Sequence, residues 1–432
     1  MWSRPRNSRK RYWLENGEED LTLFFRPFLN TFEGIELHKV PETELTNRRQ
    51  RLRKELQKTG IDALFIVQQV DLFYLAGAHH PGVCYLPAEG EPLLFINNSC
   101  SSKRAHSDTI HIFKIGSLDE IPTVIRDVCG GLPRVLGFEF DVLPVTDFNL
   151  YRGLFPDQEC VDGSSPILKG RRIKSDWELA QMERTAELTR RTFDYGRSAI
   201  KAGLSEMEFA SMLESFARVQ GKETESVRVR DYQTEGYPGH VLSGESGGRV
   251  GLLDSPASGQ GTSPAFPCGA GPRIIRANEP VMVDFGFGLN GYHMDETRMF
   301  SIGPLPEKIM KACEAAIAIH DAVLSKVNPG VTVDELFQHS VASAEILGYG
   351  EQYLGPPGNK VSFVGHGIGL ELIEGPIIAK GKMDPLEPGM TFALEPKIVF
   401  EDAFIAGVES VFVVTDTGYR MISRLPLEVF IC

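Results

Sequence analysis

The chain lacks any apolar run approaching the ~20 residues a membrane-spanning helix needs, although 42% of its 432 residues are apolar. It also lacks a recognisable leader. The opening "MWSRPRNSRKRYW" is basic, but no uninterrupted apolar stretch and small-residue cleavage site follow it, and "LTLFFRPFLNTF" is short and broken by Arg26. No signal peptide is expected, and the first residues read as a solvated tail. Cysteine is scarce. Seven residues, at 84, 100, 129, 160, 268, 313 and 432, form no CxxC pair, which suits reduced thiols in a cytoplasmic protein better than a disulfide framework or a thiolate metal site. Basic residues are in deficit. A net charge of −13 argues against nucleic acid as a partner. The Gly/Pro/Ser-rich stretch "SPASGQGTSPAFPCGAGP" (255–272) lacks the lysine and helix context of a phosphate loop, so nucleotide binding is not expected either. It reads as a connection long enough to shape a pocket.

What is present is a chain long enough for more than one core, without repeats or low-complexity tracts. After a tail over residues 1–44, "ETELTNRRQRLRKELQKTG" reads as an amphipathic helix, and "IDALFIVQ", "EPLLFIN" and "RVLGFEF" as short buried strands. That alternation predicts an α/β domain over 45–168. A hinge is expected near "SSPILKGRRIKSDWELAQM". From there, Ser175 with Glu178, Ser205 with Glu208 and Thr332 with Glu335 have capping-box spacing and predict helix starts. "PEKIMKACEAAIAIHDAVLSKV" predicts a fourth helix, and strand-like runs fall at 280–300, 390–400 and 408–415. Residues 169–432 should therefore form an α+β domain, helices packed on an antiparallel sheet.

Within it, "VMVDFGFGLNGYHMDETRMF" (281–300) sets Asp284 and Asp295 eleven positions apart around Asn290-Gly291. Asn-Gly between alternating residues predicts a two-residue hairpin turn. Leu289 would then face Tyr292, Gly286 would face Asp295, and Asp284 would face Thr297. Side-chain alternation puts Asp284, Gly286, Gly288, His293, Asp295 and Thr297 on one face, with Phe285, Phe287, Met294 and Phe300 on the other, facing the core. The two aspartates become diagonal neighbours about 7–8 Å apart at Cα. On a half-buried face they repel unless a cation separates them. Carboxylates facing water satisfy the same pattern, so other ligands must decide.

Three further residues offer themselves. "SFVGHGIGLELIEGP" sets His366 between glycines, while "MTFALEPKIVF" and "IAGVESVFVVTDTG" carry Glu395 and Glu409 on apolar strands. Taken singly, each is as readily a structural or edge residue. Together with the aspartates they make an oxygen-rich set suited to a pair of Mn, Co, Zn or Fe ions. His293, on the same hairpin face, is a candidate to touch substrate and otherwise a packing histidine. His240 and Arg249 are weaker candidates, a strand-edge histidine and a loop arginine able to grip a carboxylate.

These segments resemble the pita-bread metallopeptidases: aminopeptidase P, prolidase, methionyl aminopeptidase and the metal-free creatinase. The order Asp, Asp, His, Glu, Glu carries the resemblance over 175–432, and "DLFYLAG" and "RRIKSDWELAQM" resemble the amino-terminal domain and linker of the creatinase–prolidase branch. The resemblance implies a pita-bread catalytic domain behind a creatinase-type α/β domain. It assigns Asp284 to one metal, His366 and Glu395 to the other, and Asp295 and Glu409 to both, with a hydroxide between the ions as nucleophile and Glu395 as proton acceptor. Manganese is the first expectation for the two ions. A small peptide is the implied substrate, cut as by an Xaa-Pro aminopeptidase or dipeptidase, and a homodimer is the implied assembly.

The chain departs from that pattern at Gly251 and Ile373, where active peptidases usually have histidines, and at Gly407, where an arginine is common. Lost hydrogen-bond donors of this kind typically cost about 10²–10³ in rate each. Two alternatives follow: a non-peptidase metalloenzyme of the same fold, such as a dimethylsulfoniopropionate-lyase-like enzyme, or a non-catalytic binding protein. The filled ligand positions weigh against the second. The absence of a further aspartate beside "DFG" weighs against the first.

Overall fold

Ser175, Ser205 and Thr332 each accept a hydrogen bond from the amide three residues on, and Glu178, Glu208 and Glu335 each cap back onto the start. These reciprocal bonds satisfy amides that a helix start otherwise leaves unpaired. The computed structural model describes residues 39–97, 110–223, 230, 239–251 and 255–432. The expected tail lies almost wholly outside the described residues, as does Cys100. The six described cysteines are all free.

The first region is a mixed sheet of β1 (Ala63–Ile66), β2 (Gly82–Pro87), β3 (Leu93–Asn97), β4 (His111–Ile115), β5 (Val135–Phe138) and β6 (Glu159–Asp162), ordered β4-β3-β2-β1-β5-β6. Helices α1 (Glu42–Thr59), α2 (Gln69–Ala76), α3 (Ile121–Cys129), α4 (Val145–Leu154) and α5 (Ser164–Arg172) accompany it. The expected strands at 61–68, 91–97 and 134–140 correspond to β1, β3 and β5. The sequence reading passed over β2, β4 and β6. In β4 and β6 the burial is only partial, so no apolar run marks them.

In the second region α6 (Asp176–Ala199) and α7 (Glu206–Val219) pack on a sheet ordered β17-β9-β8-β7, made of β7 (His240–Ser243), β8 (Val281–Leu289), β9 (Tyr292–Ser301) and β17 (Phe430–Ile431). Helices α8 (Glu307–Leu324) and α9 (Val333–Ile346) cover a second sheet ordered β11-β10-β12-β15-β16. Its strands are β10 (Phe363–Gly367), β11 (Glu374–Ala379), β12 (Thr391–Leu394), β15 (Ser410–Thr415) and β16 (Gly418–Met421). Between β12 and β15 in the chain, β13 (Lys397–Phe400) and β14 (Phe404–Gly407) form a short hairpin. The protein is α+β, and the two sheets meet where β9 packs on β12 and β15.

The β8–β9 hairpin has the predicted register: Leu289 faces Tyr292, Gly286 faces Asp295 and Asp284 faces Thr297. Asn290 and Gly291 both take positive φ, 51° and 86°, which a tight turn of this twist requires. The other face delivers Phe285, Phe287 and Phe300 to one core. Met294 joins a different one, shared with Leu52, Leu56 and Tyr74 of the first region. A polar clamp crosses the same boundary: the Arg48 guanidinium donates to the Tyr292 hydroxyl at 2.8 Å, and that hydroxyl donates to Glu178 at 3.0 Å. No described helix is long and apolar enough to cross a membrane.

Candidate metal centre

Side-chain alternation on β8 and β9 sends Asp284 and Asp295 towards β12 and β15. Glu409 comes to meet them because β9 holds it by three hydrogen bonds. Its amide donates to the Thr297 carbonyl at 3.1 Å, and its Oε2 accepts from the Thr297 hydroxyl at 2.9 Å. Arg298 Nη1 also donates to the Glu409 carbonyl. Glu409 Oε1 is buried and has no hydrogen-bond partner. His366 arrives on β10, and Glu395 follows β12 with its amide on the Val364 carbonyl at 2.9 Å. All five expected residues line one cleft, with His240, Ser255, Gly286, Phe363, Leu372, Ile373 and Lys397.

The His366 ring fixes the chemistry of one half of this cluster. Its Nδ1 lies 3.0 Å from the Gly367 carbonyl. A carbonyl only accepts, so Nδ1 carries the proton there. Nε2 then faces Asp295 Oδ2 at 3.8 Å, Glu395 Oε1 at 3.8 Å and Glu409 Oε1 at 4.0 Å. These distances are too long for a hydrogen bond, so the ring nitrogen and the three oxygens surround a gap that a cation can fill. Ligand atoms of Asp295, His366 and Glu409 lie within 4.8 Å of one another, a grouping that can hold a metal ion. The residues present therefore fit a divalent ion on this side.

Lys397 governs the other half. Its Nζ donates to Asp284 Oδ2 at 2.8 Å and to Glu395 Oε2 at 2.7 Å, and stands 4.0 Å from Glu409 Oε2. Burial would push the Asp284 carboxyl up, but the Lys397 ammonium and then His240 outweigh it and hold the group below the usual carboxylate range. Asp295 goes the opposite way, raised well above that range by burial and then by the Asp284 and Glu395 carboxylates. Glu409 is raised likewise, by burial and then by Asp295 and Glu395. The cluster has four carboxylates and one ammonium, and the shortage of positive charge is felt on the His366 side.

The other candidates separate clearly. His293 is buried, with Nδ1 3.2 Å from the Gly369 carbonyl, and it is not among the residues lining the cleft. The packing alternative describes its place; the expectation that it touches substrate does not. His240, ranked below it, sits opposite Asp284 in the β7–β8 register with Nδ1 3.8 Å from Asp284 Oδ2. Arg249 is exposed on a neighbouring surface. The loop at 255–272 contributes Ser255 to the cleft. A side chain at Gly251 would meet Ser258, whose Cβ lies 2.7 Å from where a Cβ would stand, so a histidine does not fit there as the chain is folded. Lys397 was missed, although a signal existed: residues two apart in extended backbone share a face, which puts it beside Glu395.

Ile373 reaches the cleft on a segment tied down from below. Arg171, fully buried, donates to Asp71 and Glu371 at 2.7 Å each and to Glu374 at 2.5 Å. Lys174 donates to Glu374 at 2.9 Å, and Arg230 to Asp71 at 2.7 Å. Burial would push Glu374 up, but Lys174 and Arg171 outweigh it and hold the carboxyl at about 2.

Residues 180–416 match the family model for metallopeptidase family M24, and residues 48–173 match that for the creatinase/prolidase N-terminal domain. The chain is 26% identical over 390 residues to the uncharacterized peptidase YqhT of Bacillus subtilis, spanning 88% of this chain and 99% of that one. It is 22% identical over 385 residues to an Xaa-Pro dipeptidase of Pyrococcus furiosus, spanning 89% and 99%. Among solved structures, an Xaa-Pro dipeptidase from Bacillus anthracis superposes with a TM-score of 0.75 at 24% identity, over 90% of this chain and all of that one. At that identity the superposition speaks for the fold.

Proposed function

The chain belongs to metallopeptidase family M24, and on that premise we propose that it is a metal-dependent hydrolase of the Xaa-Pro aminopeptidase and dipeptidase type. Its substrate is a small peptide. The observation that carries this reading is His366 Nε2 facing oxygens of Asp295, Glu395 and Glu409 at 3.8–4.0 Å, a set of ligand atoms spaced to take a cation between them. Asp295, His366, Glu395 and Glu409 would hold a divalent ion, whose chemistry there would be to activate a water and polarise the scissile carbonyl.

The chain's own groups do the rest. Glu395 keeps Oε2 on Lys397 and turns Oε1 towards His366. Glu395 is in this reading the group that would take a proton from the attacking water. Phe363, Leu372 and Ile373 make an apolar wall that suits a proline ring. The cleft offers about 70 Å³, room for an ion and one or two waters, so a dipeptide would lie across its open side. Asp284, assigned by the resemblance to a second ion, is met here by Lys397.

Purified protein reconstituted with Mn²⁺ or Co²⁺ is expected to release proline from Xaa-Pro dipeptides, with chelation abolishing the release. A verified metal-loaded sample that turns over no Xaa-Pro peptide rules this reading out.

A further inference from the structure

The Asp284 side of the cluster already holds a cation. Lys397 Nζ makes two short bonds to carboxylates, one on β8 and one just after β12, and the side chain is 2% exposed. Among the described residues, the grouping able to hold a metal comprises Asp295, His366 and Glu409 and leaves Asp284 out. The fold also makes room for the lysine. Lys397 faces Gly407 across the β13–β14 pair, and a Cβ at Gly407 would lie 2.8 Å from Lys397 Cγ. A side chain at 407 would displace the lysine stem, so the bare position and the buried ammonium belong together.

We propose that the Lys397 ammonium takes the place of one metal ion, so that each chain binds a single divalent ion, on the His366 side. This rests on the metal-dependent reading above and narrows it. The two halves of the cluster then do different work. An ammonium donates hydrogen bonds and neutralises charge, but it has no open coordination position for water. It fixes Asp284 and one oxygen of Glu395. Water activation is left to the His366 side alone, and Glu395, gripped by Lys397 at Oε2, has its orientation set without a second ion.

The test is stoichiometry, read without reference to turnover. Wild-type protein is stripped with chelator, reconstituted with Mn²⁺ and desalted. Metal analysis should give about one equivalent per chain, and electron paramagnetic resonance should show the six-line spectrum of isolated Mn²⁺. Lys397→Ala, which removes both the ammonium and its stem, should rise to about two equivalents with the broadened signal of an exchange-coupled pair. Two equivalents in the wild type overturn the inference and leave the hydrolase reading standing. A folded Lys397→Ala protein that stays at one equivalent also overturns it, because the lysine is then not what excludes the second ion. Below about 0.2 equivalents in the wild type, the metal-dependent reading itself fails. Should Lys397→Ala not fold, the wild-type metal count and spectrum still decide.

Discussion

Two buried charge clusters lie on either side of the segment that carries Ile373, and they are built on opposite terms. Around Arg171, the carboxylates of Asp71, Glu371 and Glu374 meet Arg171, Lys174 and Arg230 at hydrogen-bond distance. Around His366, the four carboxylates of Asp284, Asp295, Glu395 and Glu409 share one ammonium, and a buried oxygen of Glu409 has no partner. In the first cluster every one of these three carboxylates meets a cation, although Arg171 Nε itself finds no partner. The second is short of positive charge and lines a cleft. Buried charge fixes structure where it is paired, and it prepares a binding site where the pairing stops short.

Breaking the paired cluster should have the largest effect on stability. Arg171→Met removes the cation that Asp71, Glu371 and Glu374 share, leaving Arg230 on Asp71, Lys174 on Glu374 and, among the described residues, no cation on Glu371. It should cost about 3–5 kcal/mol, read as a lower urea midpoint. A loss below about 1 kcal/mol would show that the cluster is wet or dispensable.

Breaking the unpaired cluster should move stability the other way. Asp295→Asn removes one repelling charge and should stabilise the metal-free protein by about 1–2 kcal/mol, while activity falls by at least about 10²-fold. The gain should depend on pH. Because the Asp295 carboxyl is raised in the fold, its contribution to stability is complete below its unfolded value and is lost as pH rises through the raised one. The advantage of Asp295→Asn therefore grows from acid towards neutral pH. Glu374 behaves conversely. Held at about 2 against an ordinary 4.5, it contributes above the ordinary value, and that contribution is lost as pH falls towards 2. Denaturation curves of the metal-free wild type and Asp295→Asn across pH 3–8 check both signs.

The smallest effect should come from between the clusters. His293→Ala loses a bond to the Gly369 carbonyl and should cost about 1 kcal/mol with KM unchanged. A several-fold change in KM would return His293 to the substrate.

What was legible in the sequence followed from periodicity and local chemistry. Asn290-Gly291 with alternating neighbours set the hairpin register residue by residue, and Ser175, Ser205 and Thr332 marked helix starts through their partner glutamates. The convergence of five side chains on one cleft was legible for the same reason: Asp284 and Asp295 share a face of one hairpin, and His366, Glu395 and Glu409 each stand out in apolar or glycine-rich runs. What escaped depended on long-range pairing. Nothing local says that β7 lies along β8, which is why His240 was placed below His293. Gly407 read as a missing arginine. Its meaning emerges only when β13 and β14 pair and Lys397 lies across it.

The clamp from Arg48 through Tyr292 to Glu178 has a consequence for how this molecule wears out. It grips the tip of the hairpin whose stem carries Asp284 and Asp295, and the grip comes from the first region. A proteolytic nick that freed α1 would take the Arg48 guanidinium from the Tyr292 phenol and leave only its bond to Glu178. The spacing of the two aspartates would loosen with that grip, so damage at one end of the protein is felt as a failing site at the other.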